Sequence, residues 1–187
     1  MSRWKPDAVG RLMGAALALF DEQGYDETTV ADIAARAGLT RRTFFRYFPD
    51  KREVLFSGLD HLEQVFVEAV RQAPDGASPM QAVGAGLAAA ADVFTGVHPY
   101  ARVRARVIAA NPELQERELI KLERLASKVS EALEGRQATP TLALLTADLG
   151  VRVFHRAFAE WVANDDPDAL GPTTARMLDE LGALWNT

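Results

Sequence analysis

Residues 29–56 read TVADIAARAGLTRRTFFRYFPDKREVLF, and the punctuation of that stretch decides the fold. Thr29 followed by Asp32 is a helix-opening pair, a hydroxyl and a carboxylate three residues apart. Ala34 is small where a second helix must cross steeply. Four residues later Gly38 supplies the positive φ of a tight turn without steric cost. Thr40 caps a second helix over 40–47, and Pro49 ends it because the residue before a proline is pushed out of the α region. Ile33, Leu39 and Phe44 close a small apolar core between the two. This is the spacing of a helix-turn-helix.

At 100° per residue, the second helix puts Phe44 and Phe48 on one side with Tyr47 at the margin. Arg41, Arg42, Phe45 and Arg46 fall opposite. A guanidinium can donate two hydrogen bonds to guanine O6 and N7, and an apolar ring can touch a thymine methyl. The helix N-terminus adds a positive end for phosphate. Thr29, Thr43, Tyr47 and Lys51 flank the face and are the types that contact a nucleic-acid backbone. An isolated arginine cluster is ordinarily a solvated face over an aromatic core. Here the small residue, the glycine, the cap and the charged face agree in register, which favours a DNA-reading helix.

The rest of the chain is helical in period as well. Leu12, Ala16, Leu19 and Phe20 form a stripe that stops at Gly24, and Ser78-Pro79, Asn111-Pro112 and Thr139-Pro140 each place a capping side chain before a proline. Gly171-Pro172 opens the last helix more weakly, and Asp50 with Glu53 offers a further capping box. The expected helices are about nine: 6–23, 29–36, 40–47, 51–73, 79–95, 99–109, 112–134, 140–163 and 172–185. The fold class is all-α. A three-helix helix-turn-helix domain over 1–56 is expected to pack on a larger helical bundle over 57–187.

Composition agrees with a soluble globular protein: 187 residues, 48% hydrophobic and 25% charged, with no cysteine for a disulfide, thiolate nucleophile or Cys-based metal site. The net charge of −5 is uneven. Residues 1–56 carry nine Lys/Arg against eight Asp/Glu, and the remainder twelve against eighteen. Any surface for a polyanion is therefore near the N-terminus. The start MSRWKPDAVG has no apolar signal core, and the most apolar window, MQAVGAGLAAAADVF (80–94), is too short to span a bilayer and reads as a buried helix. A cytoplasmic protein without a membrane partner is expected.

The 29–56 stretch resembles the DNA-binding signature of the TetR family of one-component bacterial transcriptional regulators, closely over about residues 10–56. The resemblance implies a homodimer that inserts the second helix of the motif into the major groove of double-stranded DNA. By position, Thr40, Arg41, Arg42, Phe45 and Arg46 are implied to read bases or line the groove, and Thr29, Thr43, Tyr47 and Lys51 to hold phosphates. The family often has a small residue where Arg42 stands and usually a tyrosine where Phe45 stands, so the operator need not be the family's usual one. Repression relieved by a small-molecule effector is the implied outcome, with the helix at 99–109 as the relay. The last two helices are implied to form the dimer bundle, with Leu145, Leu149, Val153, Leu178, Leu181 and Trp185 as candidates. Their stripes suit an intramolecular core equally well.

Phe94, Tyr100, Phe154, Phe158 and Trp161, with Arg104, are candidates for an effector pocket taking an apolar or acyl-CoA-like molecule. Aromatics at this spacing are also those of ordinary core, and the arginines of RVRAR (102–106) those of a solvated face. His61, His98 and His155 lie far apart in sequence. No cofactor and no metal are expected. None of the histidines follows a Glu by three residues, and no G-x-S-x-G, H-E-x-x-H or P-loop occurs, so an enzyme is disfavoured. A helical protein-interaction module would explain the bundle and the acidity, but not the arginine face.

Overall fold

The computed structural model describes residues 8–185. Among them the chain is helical throughout its ordered elements, with α1 (Ala8–Gln23), α2 (Val30–Arg36), α3 (Arg41–Tyr47), α4 (Glu53–Phe56) and α5 (Leu59–Arg71). There follow α6 (Pro79–Val93), α7 (His98–Ala109), α8 (Pro112–Glu134), α9 (Pro140–Ala163) and α10 (Leu170–Trp185). All nine expected helices are present, and the one expected over 51–73 is divided at Ser57-Gly58 into α4 and α5. Glycine lowers helix stability by about 1 kcal/mol, and the Ser57 hydroxyl bonds back to the Val54 carbonyl at 3.3 Å, so the break falls there.

By contact, the chain forms two compact units: Met1–Gly58 with Val103–Glu116, and Leu59–Arg102 with Arg117–Thr187. In the first unit, α1 buries Leu12, Ala15, Ala16, Leu19 and Phe20 and stops at Gly24, where φ is +88°. The end of α7 and the start of α8 belong to the same unit through specific contacts. Arg106 pairs with Asp21 at 2.6 Å, and Arg104 donates to the Leu55 carbonyl at 2.7 Å while lying over the Phe56 ring. Leu114, from the first turn of α8, is fully buried. Asn111 was expected to cap α8, but its side-chain amide donates back to the Val107 carbonyl at 2.6 Å and so closes α7.

The second unit explains the Ala/Gly-rich window. On α6, Ala82, Val83, Gly86, Leu87 and Ala90 are buried, and a Cβ on Gly86 would stand 2.5 Å from the Phe66 ring of α5. On α9, a Cβ at Gly150 would strike Val83. The small residues let α5, α6 and α9 approach closely enough to share one core, in which every methylene counts. Ser78 makes a full capping box with Gln81, and Thr139 caps α9 at Leu142 N. The last helix begins two residues earlier than expected, at Leu170. No single helix among the described residues is long and apolar enough to cross a membrane.

Candidate nucleic-acid interface

The turn between α2 and α3 is built from backbone hydrogen bonds. Leu39 N donates to Ala34 O at 2.8 Å and Gly38 N to Ala35 O at 2.9 Å, with Gly38 at φ +64°. That pair of bonds is a Schellman closure, satisfying carbonyls at the end of α2 that would otherwise be orphaned. The Arg11 guanidinium of α1 donates to the Ala37 carbonyl on the same turn. At its start α2 has a reciprocal box: Asp32 N donates to the Thr29 hydroxyl, and Thr29 N to the Asp32 carboxylate at 2.9 Å. The Thr29 hydroxyl also donates to the Asp32 carboxylate at 2.6 Å, and this bond, with the one from Thr29 N, holds the carboxyl below its ordinary pKa. Arg36 grips Glu22 of α1 with both terminal nitrogens, at 3.0 and 2.6 Å.

On this base stands α3. Thr40 accepts from Thr43 N at 3.1 Å, and the two hydroxyls lie 3.0 Å apart. Phe44 is completely buried and stacks against Phe48 with ring centres 5.4 Å apart. Phe48 is already extended at φ −131°, as the following proline demands. Arg41, Arg42, Phe45, Arg46 and Tyr47 are exposed, so the sorting of faces expected from helical spacing is the one found. Leu39 is half-buried beside the fully buried Ile33. Arg46 donates to the Tyr47 hydroxyl at 2.9 Å and lies over its ring, whereas Arg41 and Arg42 have no partner among the described residues.

The remaining flanking candidate is differently placed. The ammonium of Lys51 donates to the Tyr25 carbonyl at 2.6 Å and sits 4.0 Å from the centre of that ring, and its burial lowers its pKa. Tyr25 is itself buried, and its pKa is raised first by that burial and then by a hydrogen bond to the Glu113 carboxylate. Sequence spacing missed this knot because its members lie far apart along the chain. Asp50 accepts from the amides of Arg52 and Glu53 at 2.8 and 3.1 Å, opening α4.

The effector candidates separate in the second unit. Phe94, Phe154, Phe158 and Trp161 converge, with ring centres 5.2–5.9 Å apart around Phe94. They pack on one another as core. His98, which the spacing argument left aside, joins them: it is buried, stacks edge-on with Trp161 at 4.7 Å and donates Nε2–H to the Trp161 carbonyl. Tyr100 does not join, because two residues along α7 turn it to the opposite side, where it is 58% exposed. Arg104 is engaged within the first unit, at Leu55 and Phe56. A groove of about 270 Å³ between α8 and α9, lined by Leu119, Leu122, Ala126, Val151, Arg152 and His155 among others, had no sequence signal.

The dimer candidates also divide. Leu145 is 60% exposed and Leu149 half-buried, with Leu142 and Leu144 exposed beside them. Val153 is in the core, since its helical angle has drifted 80° from Leu145 over eight residues, and it cannot present itself outward. Leu178 and Leu181 pack partly buried against the same core. The side chain of Trp185 lies outside the described residues.

A short helix set by a glycine turn, exposing arginines from a three-helix unit, defines a helix-turn-helix protein. Residues 12–57 match the family model of bacterial regulatory proteins of the tetR family, and residues 77–186 that of the MftR C-terminal domain. The chain belongs to the TetR family. It is 40% identical over 73 residues to the HTH-type transcriptional regulator TcmR of Streptomyces glaucescens, covering 39% of this chain and 32% of that one. It is 33% identical over 115 residues to EthR of Mycolicibacterium smegmatis, covering 59% of this chain and 52% of that one. The chain thus spans about half the length, or less, of these curated relatives. Its fold is shared with a TetR-family protein from Syntrophomonas wolfei at TM-score 0.68 and 16% identity, over 94% of each chain. It is shared also with FadR from Bacillus subtilis, solved in complex with stearoyl-CoA, at TM-score 0.61 and 22% identity, over 90% of this chain and 96% of that one.

Proposed function

We propose that the chain is a sequence-specific DNA-binding transcriptional regulator of the cytoplasm, a homodimer that represses from a palindromic operator until a small-molecule effector releases it. The observation that carries the reading is the solvent face of α3, where Arg41 and Arg42 stand without a partner among the described residues on a helix fixed by its cap and turn. A guanidinium kept free of intramolecular partners is available for the bidentate contact to guanine. In this reading Arg41, Arg42, Arg46 and Phe45 meet base edges, and Thr40 lines the groove. Thr29, Thr43 and Tyr47 contact phosphates, while Lys51 reaches phosphate only by giving up the Tyr25 carbonyl. Relatives named as transcriptional regulators support the class, and nothing in the reading calls for catalysis.

The homodimer is supported by the exposed Leu142 and Leu145 and the half-buried Leu149 of α9 and by the small footprint of one reading helix, which pairing of half-sites one turn apart would remedy. The effector is an apolar or acyl-CoA-like molecule bound by the second unit. Support for that class comes from the fold shared with FadR, whose own ligand was stearoyl-CoA. An effector must favour the released state over the bound one, or it shifts nothing.

Selection from random duplexes at about 150 mM salt tests the reading. It should return an inverted repeat whose binding weakens steeply with salt, since each phosphate contact releases counterions. Salt-insensitive binding without enrichment would instead favour the protein-interaction module.

A further inference from the structure

Within α3 one arginine is held differently from the other two. Arg46 and Tyr47 are neighbours in sequence, so their side chains leave the helix about 100° apart and would not ordinarily meet. Arg46 nevertheless folds sideways. Its Nη2 donates to the Tyr47 hydroxyl at 2.9 Å, and its Cζ lies 4.7 Å from the centre of the Tyr47 ring. Arg41 and Arg42 have no such support among the described residues. Tyr47 is a firm platform for the contact, being only 41% exposed although it lies on the outer side of the helix. Both partners keep spare capacity. The guanidinium has further N–H groups beyond the one given to Tyr47, and a phenolic oxygen that accepts from Arg46 still has its own O–H to donate.

We propose that Tyr47 is a specificity-determining positioning residue, which holds the Arg46 guanidinium for a guanine edge while its own O–H donates to a neighbouring phosphate. The inference rests on the DNA-binding reading and gives Tyr47 a part in choosing bases, beyond holding the backbone. A free arginine loses many rotamers when it docks. A guanidinium already laid over a ring and tied to its hydroxyl has less freedom left to lose. The two bonds of the hydroxyl also strengthen each other. An O–H whose oxygen accepts from a cation is a stronger donor, and one that donates to a phosphate is in turn a stronger acceptor, so a phosphate at Tyr47 tightens the hold on Arg46. A backbone contact, which carries no sequence information by itself, is thereby coupled to one that does.

The test uses the full chain and the operator returned by selection. Every base pair of a half-site is replaced in turn, and affinity is measured by fluorescence anisotropy at constant salt, with circular dichroism confirming the fold of each variant. Arg46→Ala should flatten preference at one base pair, which marks the guanine it reads. Tyr47→Phe keeps the ring and removes only the hydroxyl. It should weaken binding to the selected operator and reduce discrimination at that same base pair by about tenfold. In the Arg46→Ala background, Tyr47→Phe should weaken all sequences alike, because only the phosphate bond is left to lose. A Tyr47→Phe variant that weakens every sequence equally, or none, would overturn the proposal and leave Arg46 to find its base unaided. Base preference left intact at every position by Arg46→Ala would overturn it as well. A wild type that enriches no duplex would instead remove the DNA-binding reading, a result seen before any variant is made.

Discussion

Helix α3 and helix α9 both present a row of side chains to solvent, but they are held in place by different means. Of the seven residues of α3, Phe44 alone is buried, and the position of the helix is set at its ends by the Thr40 cap, the Gly38 turn and the stop before Pro49. Of the 24 residues of α9, nine are buried, and its position is set along its length by packing against α6 and α10. An element fixed at its ends is specified by its neighbours in sequence. An element fixed along its side is specified by residues dozens of positions away.

The largest effect should come from breaking the packed helix. Trp161 is almost fully buried, anchors the rings of Phe94, Phe158 and His98, and donates Nε1–H to the Pro167 carbonyl at 2.9 Å. Trp161→Ala should destabilise the second unit by about 3–5 kcal/mol in urea unfolding. A loss below about 1 kcal/mol would mean that the cluster is loosely packed and closer to a pocket than to a core.

The turn should respond to a much smaller change. Gly38→Ala forces a Cβ into a left-handed residue and sets it 2.9 Å from the Arg11 guanidinium, for about 1–3 kcal/mol of strain. Operator affinity should fall further than stability alone accounts for, since the angle of α3 is set there. Equal losses in binding and folding would make the turn merely structural. Arg42→Ala makes the converse cut. It should leave the melting temperature unchanged, weaken binding by about 1–3 kcal/mol and relax preference at one base position. A uniform loss across all sequences would move Arg42 to a phosphate.

This contrast explains what could be read in advance. The α2–α3 module was legible almost residue by residue, because Thr29, Ala34, Gly38, Thr40 and Pro49 act on bonds within five positions of themselves. The helices of the bundle were legible as periods, and Ser78-Pro79 and Thr139-Pro140 as their starts. Which stripe faces which neighbour was not. Val153 shares a stripe with Leu145 but has drifted into the core, and Tyr100 was grouped with aromatics from which its helix turns it away. The attachment of Val103–Glu116 to the N-terminal unit was implied for the helix at 99–109 by the family resemblance alone; the residues did not show it, because α7 and α8 run unbroken through both boundaries and its ties, Arg106–Asp21 and Tyr25–Glu113, span more than eighty positions.

A matched pair of caps sharpens the comparison. Thr40 accepts from Thr43 N at 3.1 Å and Thr139 from Leu142 N at 3.4 Å, so alanine removes the same kind of bond from a helix of seven residues and from one of 24. Each change should cost about 1 kcal/mol of stability. Only Thr40→Ala should also weaken operator binding, measured by fluorescence anisotropy at constant salt, because α3 has little else to hold its first turn. A similar binding loss from Thr139→Ala would show that the cap of α9 acts on the reading helix through the fold as a whole.

The smallest effect is a dependence on acid. Hydrogen bonds from the Thr29 side chain and backbone hold the Asp32 carboxyl below its ordinary value. Burial pushes Asp50 up, but hydrogen bonds from Arg52 and from the Glu53 amide outweigh it, and this carboxyl too ends below its ordinary value. A carboxylate with a depressed folded pKa stabilises the fold at pH above the unfolded value near 3.8, and that contribution fades as pH falls through the folded value. Both groups open helices of the N-terminal unit, α2 and α4, so its amides should lose protection in hydrogen exchange as pH is lowered below about 4. Asp32→Asn separates this from general acid unfolding. The variant should be less stable than wild type at pH 7, where the charged cap is absent from it alone, and the difference should vanish near pH 2, where wild type has lost the charge as well. A difference that persists at pH 2 would mean that the carboxylate geometry, and not its charge, holds the start of α2.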